Sequence, residues 1–256
     1  MVNPNFFLKQ LTEADKRFFA NCKSLRNFLL QVIKERKAST PKEDDADVDM
    51  ISILIEDPTY KDQVEDIVDD VIVMFIAGSK TLQTTTTNLI THLLHRPDIK
   101  EKLYAEVNPI LERTQEDFMK LLTTDVIEEL DYLKMCYSEV LRHDSPIPQS
   151  STSCFSKDVV IQGVTVPKGN PIFISMQEMH NNPKEWIEPF SFIPERFDSK
   201  SEYFKRPDGK PRNPLAFSPF LGGKRICLGK TFAETALKLT LPLYFHHFDF
   251  EFVDEE

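Results

Sequence analysis

No apolar run in this chain approaches the roughly 20 residues that a membrane-spanning helix needs. The longest of interest, Val71 to Ala77, directly follows Asp69 and Asp70 and reads as a segment of a helix buried on nearly all sides. Export is not supported either: Met1-Val2-Asn3-Pro4-Asn5 has neither a basic start followed by an apolar run nor a small-residue cleavage site. Cysteine is scarce. Cys22, Cys136, Cys154 and Cys227 form no C-x-x-C pair and no zinc-like Cys/His grouping, so reduced thiols are expected rather than a disulfide framework. Positive charge is in deficit, with 31 Lys and Arg against 41 Asp and Glu, a formal charge of -10. That argues against nucleic-acid binding through a general basic surface. Internal repeats and low-complexity tracts are also lacking. What the chain does have is length and apolar content: 256 residues, 41% hydrophobic, enough for a sizeable core and against disorder throughout.

The first half reads as helix. From Thr12 to Lys37, Phe18, Phe19, Cys22, Leu25, Phe28, Leu29, Val32 and Ile33 recur at helical spacing behind a Thr12-x-x-Asp15 capping box. Residues 38–49 turn polar and acidic and suit an exposed linker, which needs no ligand to explain it. A long pattern from about Gln63 to His95 follows and is broken by Arg96-Pro97-Asp98. Pro97 suits the first turn of a new helix with Ile99, Leu103 and Val107 on one face, and another helix spans about Thr124 to Arg142.

After Arg142 the texture changes. Val159-Val160-Ile161, Val164-Thr165-Val166 and Ile172-Phe173-Ile174 read as short strands, with Gln162-Gly163 as a tight turn. Seven of the 17 prolines fall between Pro183 and Pro219, which marks a long irregular connection of a kind that is often functional. A helix resumes at about Leu228 and runs apolar through Leu243. The fold class expected is mainly α with a small β portion.

The stretch Phe220-Leu221-Gly222-Gly223-Lys224-Arg225-Ile226-Cys227-Leu228-Gly229 delivers a cysteine to the start of that last helix. Helix N-terminal amides, glycines that admit close backbone approach and the nearby Arg225 all favour a thiolate. For the cysteine alone, a buried thiol in a tight turn is the commoner reading. The full pattern F-x-x-G-x-R-x-C-x-G, filled by Phe220, Gly223, Arg225, Cys227 and Gly229, is different, because five fixed positions recur by chance in well under about one such chain in a thousand.

On these residues the sequence resembles the cytochrome P-450 (haem-thiolate monooxygenase) family. The resemblance implies that Cys227 is the axial ligand of haem iron, that Arg225 contacts a haem propionate and that Phe220 packs near the sulfur. Glu139-Val140-Leu141-Arg142 supplies E-x-x-R, whose side chains share a helix face and taken alone would be an ordinary surface pair. Phe192-Ile193-Pro194-Glu195-Arg196-Phe197 resembles the family's P-E-R-F segment, and Met179-His180-Asn181-Asn182-Pro183, Trp186 and Pro189 match the run leading into it. The resemblance makes Glu139, Arg142 and Arg196 structural supports of the haem side in one buried network. Ala77-Gly78-Ser79-Lys80-Thr81 resembles the A-G-x-D/E-T segment of the helix over the haem and places Thr81 on the threonine that assists oxygen protonation. Lys80 stands where the family has an acid, so that proton-relaying carboxylate is absent. Read without the family, Thr81 is a hydroxyl bonding back to a helix carbonyl.

The resemblance covers nearly the whole chain but only the C-terminal half of the family's pattern. Residues 1–256 are therefore expected to form a single partial domain with an incomplete fold and one haem face only partly enclosed. It implies haem b, electrons from NAD(P)H through a separate reductase, and oxygen insertion into a small organic, lipophilic substrate. It also implies an intracellular location, with the endoplasmic reticulum membrane reached only through an N-terminal half that this chain lacks. Gln149, Ser150 and Ser151 mean either a polar group on the substrate or a rearranged loop. Lys224, Lys230 and Lys238 fit either a basic face for the reductase or ordinary solvated surface. Two other functions stay open: a haem-thiolate enzyme that rearranges peroxides without a reductase, and a non-catalytic haem-binding or interaction remnant. His92 and His95, at i and i+3, have no third metal ligand spaced nearby and read as surface or core histidines, as do His246 and His247.

Overall fold

A computed structural model describes residues 12–38, 49–60, 63–112, 126 and 128–253. Most of the acidic stretch 38–49 thus lies outside the described residues. The chain divides into two compact units, residues 1–77 and 78–256.

In the first unit, helix α1 (Glu13–Ala38) starts where the capping box places it. Thr12 Oγ1 accepts from the Asp15 amide at 3.2 Å, and Asp15 Oδ2 accepts from the Thr12 amide at 2.9 Å. Helix α2 (Met50–Glu56) is capped by Asp49, which takes the Ser52 amide at 2.8 Å and also pairs with Arg36. Helix α3 (Val64–His95) supplies Ile67, Val68 and Val71 to a core completed by Leu29, Ile33 and Leu54. The Val71–Ala77 segment departs from the burial expected of it. Val73, Phe75 and Ile76 are each more than half exposed, because the core engages the face of α3 that carries Ile67, Val68 and Val71.

The second unit is built around α4 (Pro97–Glu112), α5 (Asp131–His143) and α7 (Lys230–His247). Ile99, Leu103 and Val107 of α4 pack with Leu133, Cys136 and Val140 of α5 and with Leu237, Leu241 and Phe245 of α7. Helix α5 begins at Asp131, later than the expected Thr124, of which residues 124 and 125 lie outside the described residues. Its start is fixed from another helix. Glu106 of α4 accepts the amides of Tyr132 at 2.7 Å and Leu133 at 2.9 Å, satisfying two donors that the capping residue Leu130 leaves open. Burial pushes the Glu106 carboxyl upward in spite of these two donors. Glu106→Ala strands both amides and is expected to cost about 1–2 kcal/mol in urea denaturation.

The hairpin β1 (Val159–Ile161) and β2 (Val164–Val166) pairs antiparallel in the register Val159 to Val166, Val160 to Thr165 and Ile161 to Val164. Gln162 at φ +48° and Gly163 at φ +85° make the two-residue turn whose twist matches the strands. The third expected strand, Ile172–Ile174, does not form. Ser153 pairs with Ile172 and Gln149 with Ser175 as two isolated bridges, but the register slips by one residue between them, where the Ile174 amide donates to the Ser150 hydroxyl, so no continuous ladder forms. Beyond the short α6 (Met176–His180), the proline-rich connection folds into 3-10 turns at Pro194–Phe197, Glu202–Phe204 and Pro214–Ala216. Helix α7 then starts at Lys230, two residues past the expected Leu228, because the cysteine loop turns through Gly229 first.

Candidate functional site

The cysteine loop is a closed turn rather than a free strand. The Cys227 amide donates to the Phe220 carbonyl at 2.9 Å, Leu221 donates to Ser218 at 2.9 Å and Ile226 to Gly223 at 3.3 Å. Leu221 at φ +62° and Gly223 at φ +66° are left-handed, a conformation that glycine adopts freely and leucine only under local constraint. Cys227 follows this turn and precedes α7, whose capping residue is Gly229, and its thiol is exposed. Phe220 is half-buried against the core, whereas Arg225 is exposed with no ion-pair partner among the described residues. Behind the loop, beside Tyr137, Phe217 and Phe220, is a cavity of about 120 Å³. That is far below the ~300–1,000 Å³ of small-molecule sites. A sizeable ligand therefore belongs on the outer side, where Ile226, Leu228 and Phe232 are also left exposed.

Glu139, Arg142 and Arg196 meet with no exposed surface. Arg142 pairs with Glu139 in a two-pronged bridge, Nε to Oε2 and Nη2 to Oε1, both 2.8 Å. Arg196 Nε donates to the same Oε1 at 3.1 Å, and so does the Ile193 amide at 2.9 Å. One carboxylate thus faces two guanidiniums, and carbonyls take the excess donors. Arg142 Nη1 donates to His180 at 3.0 Å and Pro189 at 2.7 Å, while Arg196 donates to Ile187, Glu188 and Ser191. Burial pulls the Arg196 guanidinium down while Glu139 opposes it.

Sequence reasoning missed Arg212. It donates to the carbonyls of Arg196, Tyr203 and Phe204, and its guanidinium carbon lies 4.0 Å from the Trp186 ring centroid. Arg142 is 5.2 Å from the same ring, so the tryptophan is stacked by two cations. Burial and the neighbouring Arg196 bring Arg212 down to about 10. Nothing in its spacing from Arg196 marks it, since the intervening turns bring the two together.

His180 joins this cluster to the cysteine loop. Its carbonyl accepts from Arg142, and its Nε2 accepts the Ser218 amide at 3.1 Å, two residues before Phe220. Burial, then Arg142, hold its pKa at about 4, below the ordinary 6.5. A histidine depressed in the folded state contributes stability that is present above its unfolded pKa and is lost as pH falls through the folded one. Between pH 6.5 and 4 this should cost the fold about 3 kcal/mol. His143, raised by Asp144, acts in the opposite sense, and its contribution is lost as pH rises through its folded pKa. The difference between wild type and His180→Asn therefore isolates His180, and the variant's urea midpoint should fall less than the wild type's between pH 7 and pH 4.5.

Thr81 lies half-buried on α3, which runs helical without a break through Gly78, and its Oγ1 is 3.5 Å from the Gly78 carbonyl. A Cβ on Gly78 would meet the Phe232 ring of α7 at 3.9 Å, so this part of α3 faces the start of the helix that follows Cys227. Lys238 is not part of a basic face. It is buried and its ammonium pairs with Glu128 at 2.8 Å, whereas Lys224 and Lys230 are exposed.

An accessible soft thiol donor, an exposed arginine two residues before it and exposed apolar side chains around it fit an apolar macrocycle bearing iron and carboxylates. The cytochrome P450 family model matches residues 1–256. The chain is 31% identical over 250 residues to human cytochrome P450 4F3, covering 93% of this chain and 46% of that protein. It is 34% identical over 181 residues to cytochrome P450 71D15 of Mentha piperita, covering 70% of this chain and 34% of the relative. Among solved structures, retinoic acid-bound cyanobacterial CYP120A1 superposes with a TM-score of 0.73 at 29% identity, covering 89% of this chain and 49% of that one. The chain thus spans about half the length or less of the relatives it matches, and no helix among the described residues is long and apolar enough to cross a membrane. Loop, buried charge cluster and family match agree: the chain belongs to the cytochrome P450 family, whose members are in general haem-dependent monooxygenases.

Proposed function

We propose that this chain forms the haem-binding part of a monooxygenase that inserts one oxygen atom of dioxygen into a small lipophilic substrate. The observation that carries this reading is the exposed Cys227 thiol, held by a loop whose supports run through His180 into the buried Glu139–Arg142–Arg196 cluster. In this reading the sulfur of Cys227 binds the iron of haem b, Arg225 pairs with a propionate, Phe220 packs beside the sulfur, and Gly223 and Gly229 keep side chains out of the turn. Haem bound there would supply the redox chemistry that activates dioxygen, and the Cys227 thiolate would hold its iron and donate electron density to it. Thr81 Oγ1 carries the proton delivered to oxygen. Lys80 beside it brings no carboxylate, so Thr81 draws on ordered water. Glu139, Arg142 and Arg196 position the loop and do not touch substrate. Electrons come from NAD(P)H through a reductase that docks near Lys224 and Lys230. Such a partner sets the protein inside the cell, with a longer form at the endoplasmic reticulum membrane.

The test is the absorption spectrum of the haem-reconstituted chain, reduced and exposed to carbon monoxide. A strongly red-shifted Soret band is expected. No bound haem, or a band typical of histidine ligation, overturns the reading for this chain.

A further inference from the structure

The sequence offers His92 no third metal ligand, because the partners come from a different helix. His92, near the end of α3, meets His143 and Asp144 at the end of α5, and one ligand atom from each lies within 4.8 Å of the other two. His95, the sequence neighbour, instead turns its Nδ1 to the Thr91 carbonyl at 2.9 Å. Asp144 Oδ2 is the shared centre, 2.5 Å from His92 Nε2 and 2.9 Å from His143 Nδ1.

Each component is fixed from outside the cluster. His143 Nε2 lies 3.0 Å from the Phe190 carbonyl, so this nitrogen carries the proton and Nδ1 is the one turned to Asp144. A metal-bound histidine has the same arrangement, with its distal N–H held by a carbonyl. The His92 ring stacks on Phe192 at 3.9 Å between centroids and 10° between planes, which sets its rotation. Asp144 is anchored through its backbone: its amide donates to Val140 at 2.8 Å and its carbonyl accepts from Asn88 at 3.1 Å. The three side chains are partly exposed, which leaves an entry path and room for water as a fourth ligand.

We propose that His92, His143 and Asp144 form a Zn²⁺ site that ties the end of α3 to the end of α5. Two imidazole nitrogens and one carboxylate oxygen are a donor set that suits Zn²⁺ and not Mg²⁺ or Ca²⁺, which prefer all-oxygen shells. Tetrahedral Zn²⁺ with bonds near 2.0–2.1 Å puts its ligand atoms about 3.3 Å apart. The imidazoles therefore need to open from Asp144 by less than about 1 Å as the metal replaces the shared proton.

The experiment is equilibrium dialysis of the whole chain against Zn²⁺, comparing wild type with the double variant His92→Gln, His143→Gln. Wild type is expected to take up one Zn²⁺ more than the double variant, with that site weakened more than about 100-fold by the substitutions. Equal uptake overturns the proposal and leaves the three residues as a hydrogen-bonded clasp. Because the double variant could lose its fold, a second measurement uses wild type alone. Zn²⁺ should protect His92 and His143 from diethyl pyrocarbonate, read by peptide mass spectrometry. Protection confined to His246 and His247, or none, overturns the proposal equally.

Discussion

Glu139→Gln is expected to lower the unfolding free energy by about 3–5 kcal/mol. Among the described residues the carboxylate is the only anionic group touching both buried guanidiniums, and its Oε1 serves three donors at once, from Arg142, Arg196 and the Ile193 amide. Glutamine keeps one oxygen but loses the charge, and its NH₂ group points a donor at an arginine. Two cations are then left in a site without solvent, where the Coulomb term that offset their desolvation has gone. Urea denaturation at pH 7, followed by far-UV circular dichroism, would show the loss as a lower midpoint with unchanged slope. An unchanged midpoint would mean that the carbonyls of His180, Pro189 and Ser191 suffice by themselves. The variant should also bind haem more weakly, because the cluster reaches the cysteine loop through His180 and Ser218.

Cys227→Ala should give the opposite pattern, with nearly intact stability and loss of the thiolate signature. The side chain is exposed, and the bond that closes the loop comes from the Cys227 amide, which alanine retains. A change in unfolding free energy within about 0.5 kcal/mol is therefore expected. In the reduced, carbon monoxide-treated spectrum, the strongly red-shifted band should vanish. A variant that keeps the band would refute Cys227 as the iron ligand, whereas a variant that unfolds would show that the thiol packs more than its exposure indicates. Together the two substitutions separate support from ligation, since one acts on the fold and the other on the spectrum.

Much of the local structure was legible in the sequence because local interactions determine it. The Thr12–Asp15 box, Pro97 at the start of α4, and Gln162-Gly163 between two short apolar runs each specify backbone conformation within a few residues. The cysteine loop was legible for a related reason, since F-x-x-G-x-R-x-C-x-G is contiguous and its turn closes on itself between Ser218 and Gly229. The exposed face of α3 was not legible. Val73, Phe75 and Ile76 are as apolar as Val71, and only the placement of the other helices decides which of them is covered.

The same distinction runs through the sites. Composition and motif spacing by themselves determined the mostly helical class, the family pattern and the cysteine to examine, because helix periodicity and a contiguous loop are properties of neighbouring residues. Only the tertiary structure decided that Glu106 starts α5, that Arg212 stacks on Trp186, that Lys238 is buried against Glu128, and that His92 finds His143 and Asp144. Each of these joins residues far apart along the chain. A charge or imidazole at one position carries no mark of the partner that folding brings to it, and its energy depends on that partner and on the water excluded around them.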